Sequence, residues 1–307
     1  MPPIINVSKL NKSFSKYSIL DNISIQIEPG TVYGLVGLNG AGKTTLLRLL
    51  TGLLKPDNGT VSVLNCNPWE HKREYYQKIG VVLENDGFWG NLSVKDNLAI
   101  YASAKGLNSS EVEKYIDEYW KNSEIHSNTR KVKTLSRGQR MQCGLCRAFM
   151  GWPEVYFLDE PALALDMTAY EHMCSIIRHA QKRGAAMIIS SHQLDTIDKL
   201  CDRVGILQDK RIQELEKEKP DSVSGWQIVT ENLEQYGKII KDAGGEEIVY
   251  DNGYYFKIDT PKTIPLIIKN LVAVDCKIYE VKRLQDGFSN TIRNYYNSKK
   301  EGFNDRY

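Results

Sequence analysis

The run Val32-Tyr33-Gly34-Leu35-Val36 leads directly into Gly37-Leu38-Asn39-Gly40-Ala41-Gly42-Lys43-Thr44-Thr45, and the two together organise everything around them. The first five residues have no polar alternation, which marks a buried parallel strand covered on both faces. From Gly37 to Thr44 the chain matches G-x-x-x-x-G-K-[ST], in the strand, loop, helix setting that the pattern requires. Glycine lets the backbone approach a phosphate and turn its N–H groups inward, while the following helix presents its positive end to the anion. Gly37, Asn39, Gly40, Gly42 and Thr45 then belong to a phosphate cradle. Lys43 reaches the β- and γ-phosphates, and Thr44 offers a hydroxyl to Mg²⁺, a hard cation that takes oxygen ligands. The bland alternative, an ordinary glycine-rich βα turn, fits the loop in isolation but not its setting.

Two further runs share the buried-strand texture. Val155-Tyr156-Phe157-Leu158 ends in Asp159-Glu160, and Ala186-Met187-Ile188-Ile189-Ser190 leads to Ser191-His192. Ligands of open α/β sheets bind at the carboxyl ends of the strands, so two acids placed there matter once a phosphate loop is present. Asp159 is expected to help hold Mg²⁺, and Glu160 to polarise an attacking water as general base. Alone, such an acid pair is more often structural.

Around these strands, β-branched runs alternate with helical periodicity, the pattern of a largely parallel α/β sheet. Between Asn97 and Lys133 the texture becomes polar and helical, with Ser109-Ser110-Glu111-Val112-Glu113 expected to supply a helix N-terminus. An inserted helical subdomain, about residues 86–150, follows. The charged stretch Glu214 to Lys219, closed by Pro220, reads as a linker. It divides the chain into a domain at 1–215 and an accessory domain at 216–307. In the latter, Trp226 to Val229 is expected as a strand, Leu233 to Ala243 as a helix, and Ile248 to Ile258 as a hairpin turned at Asp251-Asn252-Gly253. Thr263 to Val272 follows as a helix and Cys276 to Val281 as a strand. That is the β-α-β-β-α-β order of a small α+β, ferredoxin-like domain, with Gly287 to Tyr296 as a terminal helix.

Composition narrows the classes. The chain has 307 residues, 41% hydrophobic and 25% charged, which excludes a disordered, collagenous or disulfide-scaffold protein. Lys+Arg 40 against Asp+Glu 38 leaves a net charge of +2, so no nucleic acid is expected as partner. The six cysteines are scattered, in keeping with reduced thiols. No stretch approaches the roughly 18 apolar residues of a membrane span, and Met1-Pro2-Pro3-Ile4-Ile5 lacks the features of a secretory signal. The chain is expected to stay inside the cell and not to cross a membrane by itself.

What separates the possible phosphate-loop enzymes is Leu135-Ser136-Arg137-Gly138-Gln139, just before the Asp159-Glu160 strand. It resembles the signature, usually written LSGGQ, of the ATP-binding cassette (ABC) ATPases, and the resemblance covers roughly residues 4–212. In isolation the five residues would pass for a serine-capped helix start. The resemblance implies an α/β P-loop core with a helical subdomain, ATP and Mg²⁺ as ligands, and hydrolysis coupled to transport. It implies that Ser136, Gly138 and Gln139 face the γ-phosphate of ATP held by a second ATP-binding subunit, in a homodimer or heterodimer. Phe14 or Tyr17 is similar to the aromatic that stacks on adenine, with Phe14 preferred from its distance to Leu20-Asp21-Asn22-Ile23-Ser24. Asp166, in Leu163-Ala164-Leu165-Asp166, resembles the D-loop acid that contacts the partner, and His192 the switch histidine beside the γ-phosphate. Transmembrane permease subunits are the implied partners, which places the chain at the cytoplasmic face of the cell membrane.

Several positions depart from the family pattern. Arg137 replaces the first signature glycine, and Ala162 stands where threonine is frequent. Glu84 occupies the Q-loop position, where most members carry glutamine, and joins Thr44 and Asp159 as an implied Mg²⁺ ligand. With Phe88-Trp89-Gly90-Asn91-Leu92-Ser93-Val94 it is similar to the bacitracin-resistance and lantibiotic-immunity branch of peptide exporters. The rival expectations are a soluble ABC ATPase acting on nucleic acid or ribosomes, and a P-loop kinase or nucleotide switch. Cys143 and Cys146 have metal spacing without a second ligand pair, and His172 and His179 share a helix face without an accompanying acid or cysteine. The two cysteines are expected to be packing residues, and the two histidines do not complete a metal site.

Overall fold

The computed structural model describes residues 2–70, 72–84, 87–121, 129–216, 225–230, 233–242, 245–250, 253–258, 264–284, 288 and 292. The chain forms two compact units, residues 1–216 and 217–307.

The first unit opens with strands β1 (Ile5–Phe14), β2 (Tyr17–Ile27) and β3 (Val32–Val36), then α1 (Lys43–Leu50) and β4 (Asn58–Val63). Next come α2 (Lys72–Lys78), β5 (Ile79–Val82), α3 (Val94–Lys105), α4 (Ser109–Tyr119), α5 (Arg137–Phe149) and β6 (Val155–Asp159). The unit closes with α6 (Met167–Lys182), β7 (Ala186–Ser190), α7 (Leu194–Leu200), β8 (Arg203–Gln208) and β9 (Arg211–Glu216). Strands β2-β1-β4 make an antiparallel sheet. A second, mixed sheet runs β5-β6-β7-β3-β8-β9, parallel except for β9.

Apolar runs explain this division. β3, β6 and β7 are buried at every position, as strands covered on both faces must be. The second half of β2 alternates buried and exposed residues because one face meets solvent. Ile5, Ile25, Tyr33, Leu46, Leu50, Phe157 and Ile188 join the two sheets and α1 in one core. Each fully buried aliphatic side chain there contributes about 1.5–3 kcal/mol.

The helical run between β5 and β6 starts cleanly. Ser93 caps α3 by accepting from Asp96 N, and Gly106 ends the helix in the left-handed conformation. At α4 the cap is Asn108, not the Ser109-Ser110 pair. The Asn108 side chain accepts from Glu111 N at 3.0 Å, and Glu111 Oε2 accepts from Asn108 N at 2.8 Å. This is a reciprocal capping box with the acid three residues after the cap, a spacing that Ser110 also has to Glu113.

Cys143 and Cys146 are buried in α5, and no cluster of metal-binding side chains occurs among the described residues. His172 and His179 pack α6 against the end of α4, with His172 Nε2 2.6 Å from Tyr119 O and the His179 ring 5.3 Å from that of Tyr119. Among the described residues no helix is long and apolar enough to cross a membrane.

The second unit consists of β10 (Gly225–Thr230), α8 (Leu233–Asp242), β11 (Gly245–Tyr250), β12 (Gly253–Ile258), α9 (Ile264–Ala273) and β13 (Ile278–Leu284). Its antiparallel sheet has the order β11-β12-β10-β13. Ile228, Tyr236, Ile264, Ile267, Leu271 and Cys276 form its core. In α9 the buried positions 264, 267 and 271 follow helical spacing. The hairpin register pairs Tyr250 with Gly253, so Gly253 belongs to the strand, whereas an Asn252-Gly253 turn would have put it in the loop. Asp251 and Asn252 themselves lie outside the described residues. Of the terminal helix expected over 287–296, only Phe288 and Ile292 are described; both are helical and buried.

Candidate functional site

The loop from Gly37 to Gly42 joins the carboxyl end of β3 to the start of α1. Gly42 is the helix N-cap with φ of 110°, a conformation that L side chains rarely adopt, and an added Cβ would lie 3.0 Å from Ile19. No side chain caps this helix. The N–H groups of its first turn therefore keep their donors for another oxygen.

Lys43, the first residue of α1, is 7% exposed. Its Nζ donates to Gly37 O at 2.7 Å and lies 3.9 Å from Glu160 Oε1. A buried ammonium needs such acceptors, and a phosphate oxygen is a stronger one than a carbonyl. Thr44 Oγ1 donates to Asp159 Oδ2 at 2.7 Å.

Parallel pairing sets Asp159 beside Ser190. Ser190 Oγ donates to Asp159 Oδ1 and also accepts from Glu160 N at 3.0 Å, so one hydroxyl fixes both acids. Glu160 has φ of 48°, in the left-handed region that is costly for a residue with a Cβ. Its backbone N–H also reaches Ser190 O at 3.1 Å, which helps hold the turn in place. His192 Nδ1 lies 2.8 Å from Glu160 Oε2, an approach that requires the proton on Nδ1 when the carboxylate is ionised. Glu160 thus sits between a lysine and an imidazole at the mouth of β6.

These groups share one cleft of about 1160 Å³. Asn39, Gly40, Gly42, Lys43, Thr44, Thr45, Asp159, Glu160 and His192 all line it. Phe14, 48% exposed, stands at its edge, while Tyr17, 77% exposed, is not part of the lining. Glu84, exposed at the end of β5, lines it as well.

The signature residues are placed differently. Ser136, Gly138, Gln139 and Asp166 are not among the residues lining this cleft. Ser136 Oγ accepts from Gln139 N at 3.1 Å and Gln139 Oε1 accepts from Ser136 N at 3.0 Å, a capping box that preforms the start of α5. A Cβ on Gly138 would fall 2.3 Å from Ala164 O, so this helix start and the loop before α6 touch backbone to backbone. Asp166 is the N-cap of α6 and accepts from Ala169 N at 2.8 Å.

The segment after Glu84 is tied to the segment before Ser136. Lys133 N donates to Gly90 O and Val132 N to Leu92 O, both at 3.0 Å, and Val94 N donates to Arg130 O at 3.2 Å. Buried Asn97 braces the first of these segments from within by bonding Trp89 N, Trp89 O and Ser93 O.

Ser190 went unrecognised in the sequence, because its importance comes from the strand register. Arg140 and Arg147, which line the cleft from α5 together with Arg137, were missed too. Their signal was the basic periodicity of that helix.

The family model "ABC transporter" matches residues 20–163. The chain is 35% identical over 216 residues to the bacitracin transport ATP-binding protein BcrA of Bacillus licheniformis, covering 70% of each chain. It is 31% identical to the lantibiotic transport ATP-binding protein SrtF of Streptococcus pyogenes, covering 76% of this chain and 95% of the relative. Among solved structures it is similar to a dimeric ATP-binding cassette in a post-hydrolysis state bound to ADP and Pi. That likeness has a TM-score of 0.63 at 22% identity and covers 70% of this chain and 99% of the other.

Proposed function

The chain belongs to the ABC transporter ATP-binding proteins, cassettes that bind and hydrolyse ATP, and from that premise we propose that it powers a transporter exporting peptide antimicrobials. The observation that carries the chemistry is the convergence of Lys43, Thr44, Asp159, Glu160 and His192 at the carboxyl ends of β3, β6 and β7. The substrate class is supported by the names of the bacitracin and lantibiotic relatives and by Glu84.

In this mechanism Phe14 stacks on the base, and the cradle of Gly37, Asn39, Gly40, Gly42 and Thr45 receives the phosphates. Lys43 leaves its carbonyl acceptors for phosphate oxygens. Glu160 takes a proton from the attacking water, while His192 orients its carboxylate and meets the γ-phosphate. The donor set of Thr44, Asp159 and Glu84 is oxygen only, and two of those oxygens are already 2.7 Å apart, which fits Mg²⁺. When bound, that cation neutralises charge on the phosphates.

A second cassette, placed head to tail, would bring Ser136, Gly138, Gln139 and Asp166 to the open side of the cleft. Their position outside the lining of the cleft in their own chain supports that pairing. Residues 86–150 act as a helical subdomain facing a transmembrane permease, which would hold the chain at the cytoplasmic face of the membrane. The second unit is a ferredoxin-like accessory domain, supported by its β-α-β-β-α-β order and strand order β11-β12-β10-β13, with regulatory or dimer-supporting work.

Purification of the chain from its own cells tests the transport role. Recovery with a multispanning membrane subunit, and ATPase activity stimulated by a peptide antimicrobial, are expected. Nucleic-acid-stimulated or ribosome-stimulated ATPase without a membrane partner would favour the soluble alternative.

A further inference from the structure

The end of β1 is irregular where regularity would matter most. Its pairing with β4 runs out at Asn11 opposite Asn58, and its register with β2 shifts between Leu10 and Lys12 and again between Lys12 and Ser13. The β2 ladder resumes at Ser13 opposite Ser18 and holds Phe14 opposite Tyr17, so Phe14 is reached through a shifted stretch that β4 no longer pairs.

Asp57, the residue just before β4, ties this stretch down on the edge that β4 leaves. Its N–H donates to Asn11 O at 3.0 Å, its Oδ2 accepts from Ser13 N at 2.6 Å, and its Oδ1 accepts from Lys12 Nζ at 2.6 Å. Three consecutive residues are stapled by one aspartate. The Lys12 and Ser13 donors also hold the Asp57 carboxyl below its usual range, with the Lys12 bond the larger cause. Held in this way, Lys12 Nζ lies 5.6 Å from the centroid of the Phe14 ring, within reach of the ring quadrupole. The Lys12 side chain is only 13% exposed, so it is part of the surface rather than a free arm.

We propose that Lys12 and Asp57 are a positioning pair that fixes the Phe14 ring for stacking on a purine base, and so set how strongly the site prefers a nucleotide to a bare polyphosphate. This deepens, and rests on, the assignment of Phe14 as the base-facing aromatic. Lys12 touches no phosphate in this role. A cation held at the ring by a fixed carboxylate removes rotational freedom that the ring would otherwise lose on binding.

Titration of the full chain with Mg²⁺ and either ATP or inorganic tripolyphosphate tests the pair. Lys12→Met and Asp57→Asn should each weaken ATP binding about threefold to tenfold while leaving tripolyphosphate binding unchanged. Lys12→Arg should restore ATP affinity, and Lys12→Met should add nothing to Phe14→Ala. Asp57→Asn keeps an oxygen for Ser13 N, so it carries the test if Lys12→Met does not fold. Equal weakening of tripolyphosphate would make Lys12 a general anion attractor and overturn the proposal. Unchanged ATP binding in Lys12→Met and Asp57→Asn, with Phe14→Ala still weakened, would overturn the pair and leave the Phe14 assignment standing. Unchanged binding in Phe14→Ala would sink both.

Discussion

Glu160→Gln isolates the carboxylate charge from its placement. Glu160 is positioned by its backbone, through the bonds from its N–H to Ser190 O and Ser190 Oγ, and glutamine keeps both. The amide oxygen can also still accept from His192. What disappears is the basicity and one negative charge, 3.9 Å from Lys43 Nζ. At an effective dielectric near 20, that attraction is worth at most about 4 kcal/mol, less because Glu160 is partly exposed. The same charge repels an incoming γ-phosphate, so its loss releases Lys43 and favours nucleotide. Loss of a general base typically costs about 10²- to 10⁴-fold in rate, or about 3–5 kcal/mol in the barrier. The expected variant binds ATP as tightly as the parent or more so, releases phosphate at least about a hundredfold more slowly, and accumulates as an ATP-bound dimer. Single-turnover phosphate release, nucleotide titration and size-exclusion chromatography with Mg²⁺ and ATP measure the three quantities. A rate within about twofold of the parent would remove Glu160 from the chemistry, whatever the other two assays gave.

Lys43→Ala should weaken ATP binding itself by at least about tenfold, because the ammonium meets the ground-state phosphates; an unchanged nucleotide titration would count against that role. Glu84→Ala should lower transport-coupled ATPase activity more than ATP affinity, and Glu84→Gln should be milder because it keeps an oxygen for the metal. Wild-type transport by Glu84→Ala in reconstituted vesicles would make the residue a bystander. Lys105, whose Nζ donates to Ile79 O at 3.0 Å, has its pKa pulled by burial from 10.5 to about 8. Below about pH 8 both states carry the charge and the folded state bears its full cost, about 3 kcal/mol; between about 8 and about 10.5 only the unfolded state keeps the proton, so stability from this group rises with pH. Lys105→Met should therefore gain most over the parent at neutral pH, less the lost hydrogen bond, and the gain should fade as pH rises through that window. Urea melts showing a pH-independent difference would refute the linkage. A chain ending at Glu216 should retain ATP binding, and its loss from a demonstrably folded truncation would mean that the second unit contributes to the site.

How far the residues alone could be read varies from one element to the next, for reasons that are local. The turn from Gly37 to Thr44 was legible as strand, loop and helix start because its glycines act on the backbone at consecutive positions, and no distant contact can replace them. β3, β6 and β7 were legible because a strand buried on both faces must be apolar throughout, and helix α5 because a capping serine and glutamine stand three residues apart. The cap of α4 was misplaced, since two serines beside an asparagine offer nearly equal local chemistry and Ser110 has the same spacing to Glu113 that Asn108 has to Glu111.

Other features depend on which strands become neighbours. Ser190 joins Asp159 to Glu160 because β6 and β7 pair in one register; a slip of one residue would turn its hydroxyl to the other face. Phe14 was separated from Tyr17 by the cleft edge, although the two are cross-strand partners in the same hairpin. The staple from Asp57 to residues 11–13 spans more than forty positions of sequence and answers a register irregularity that no pattern of residue types announces. Local chemistry is written in consecutive residues and can be read there. Side chains that meet across strands acquire their partners only when the sheet closes, because sequence distance carries no information about which edge will face which.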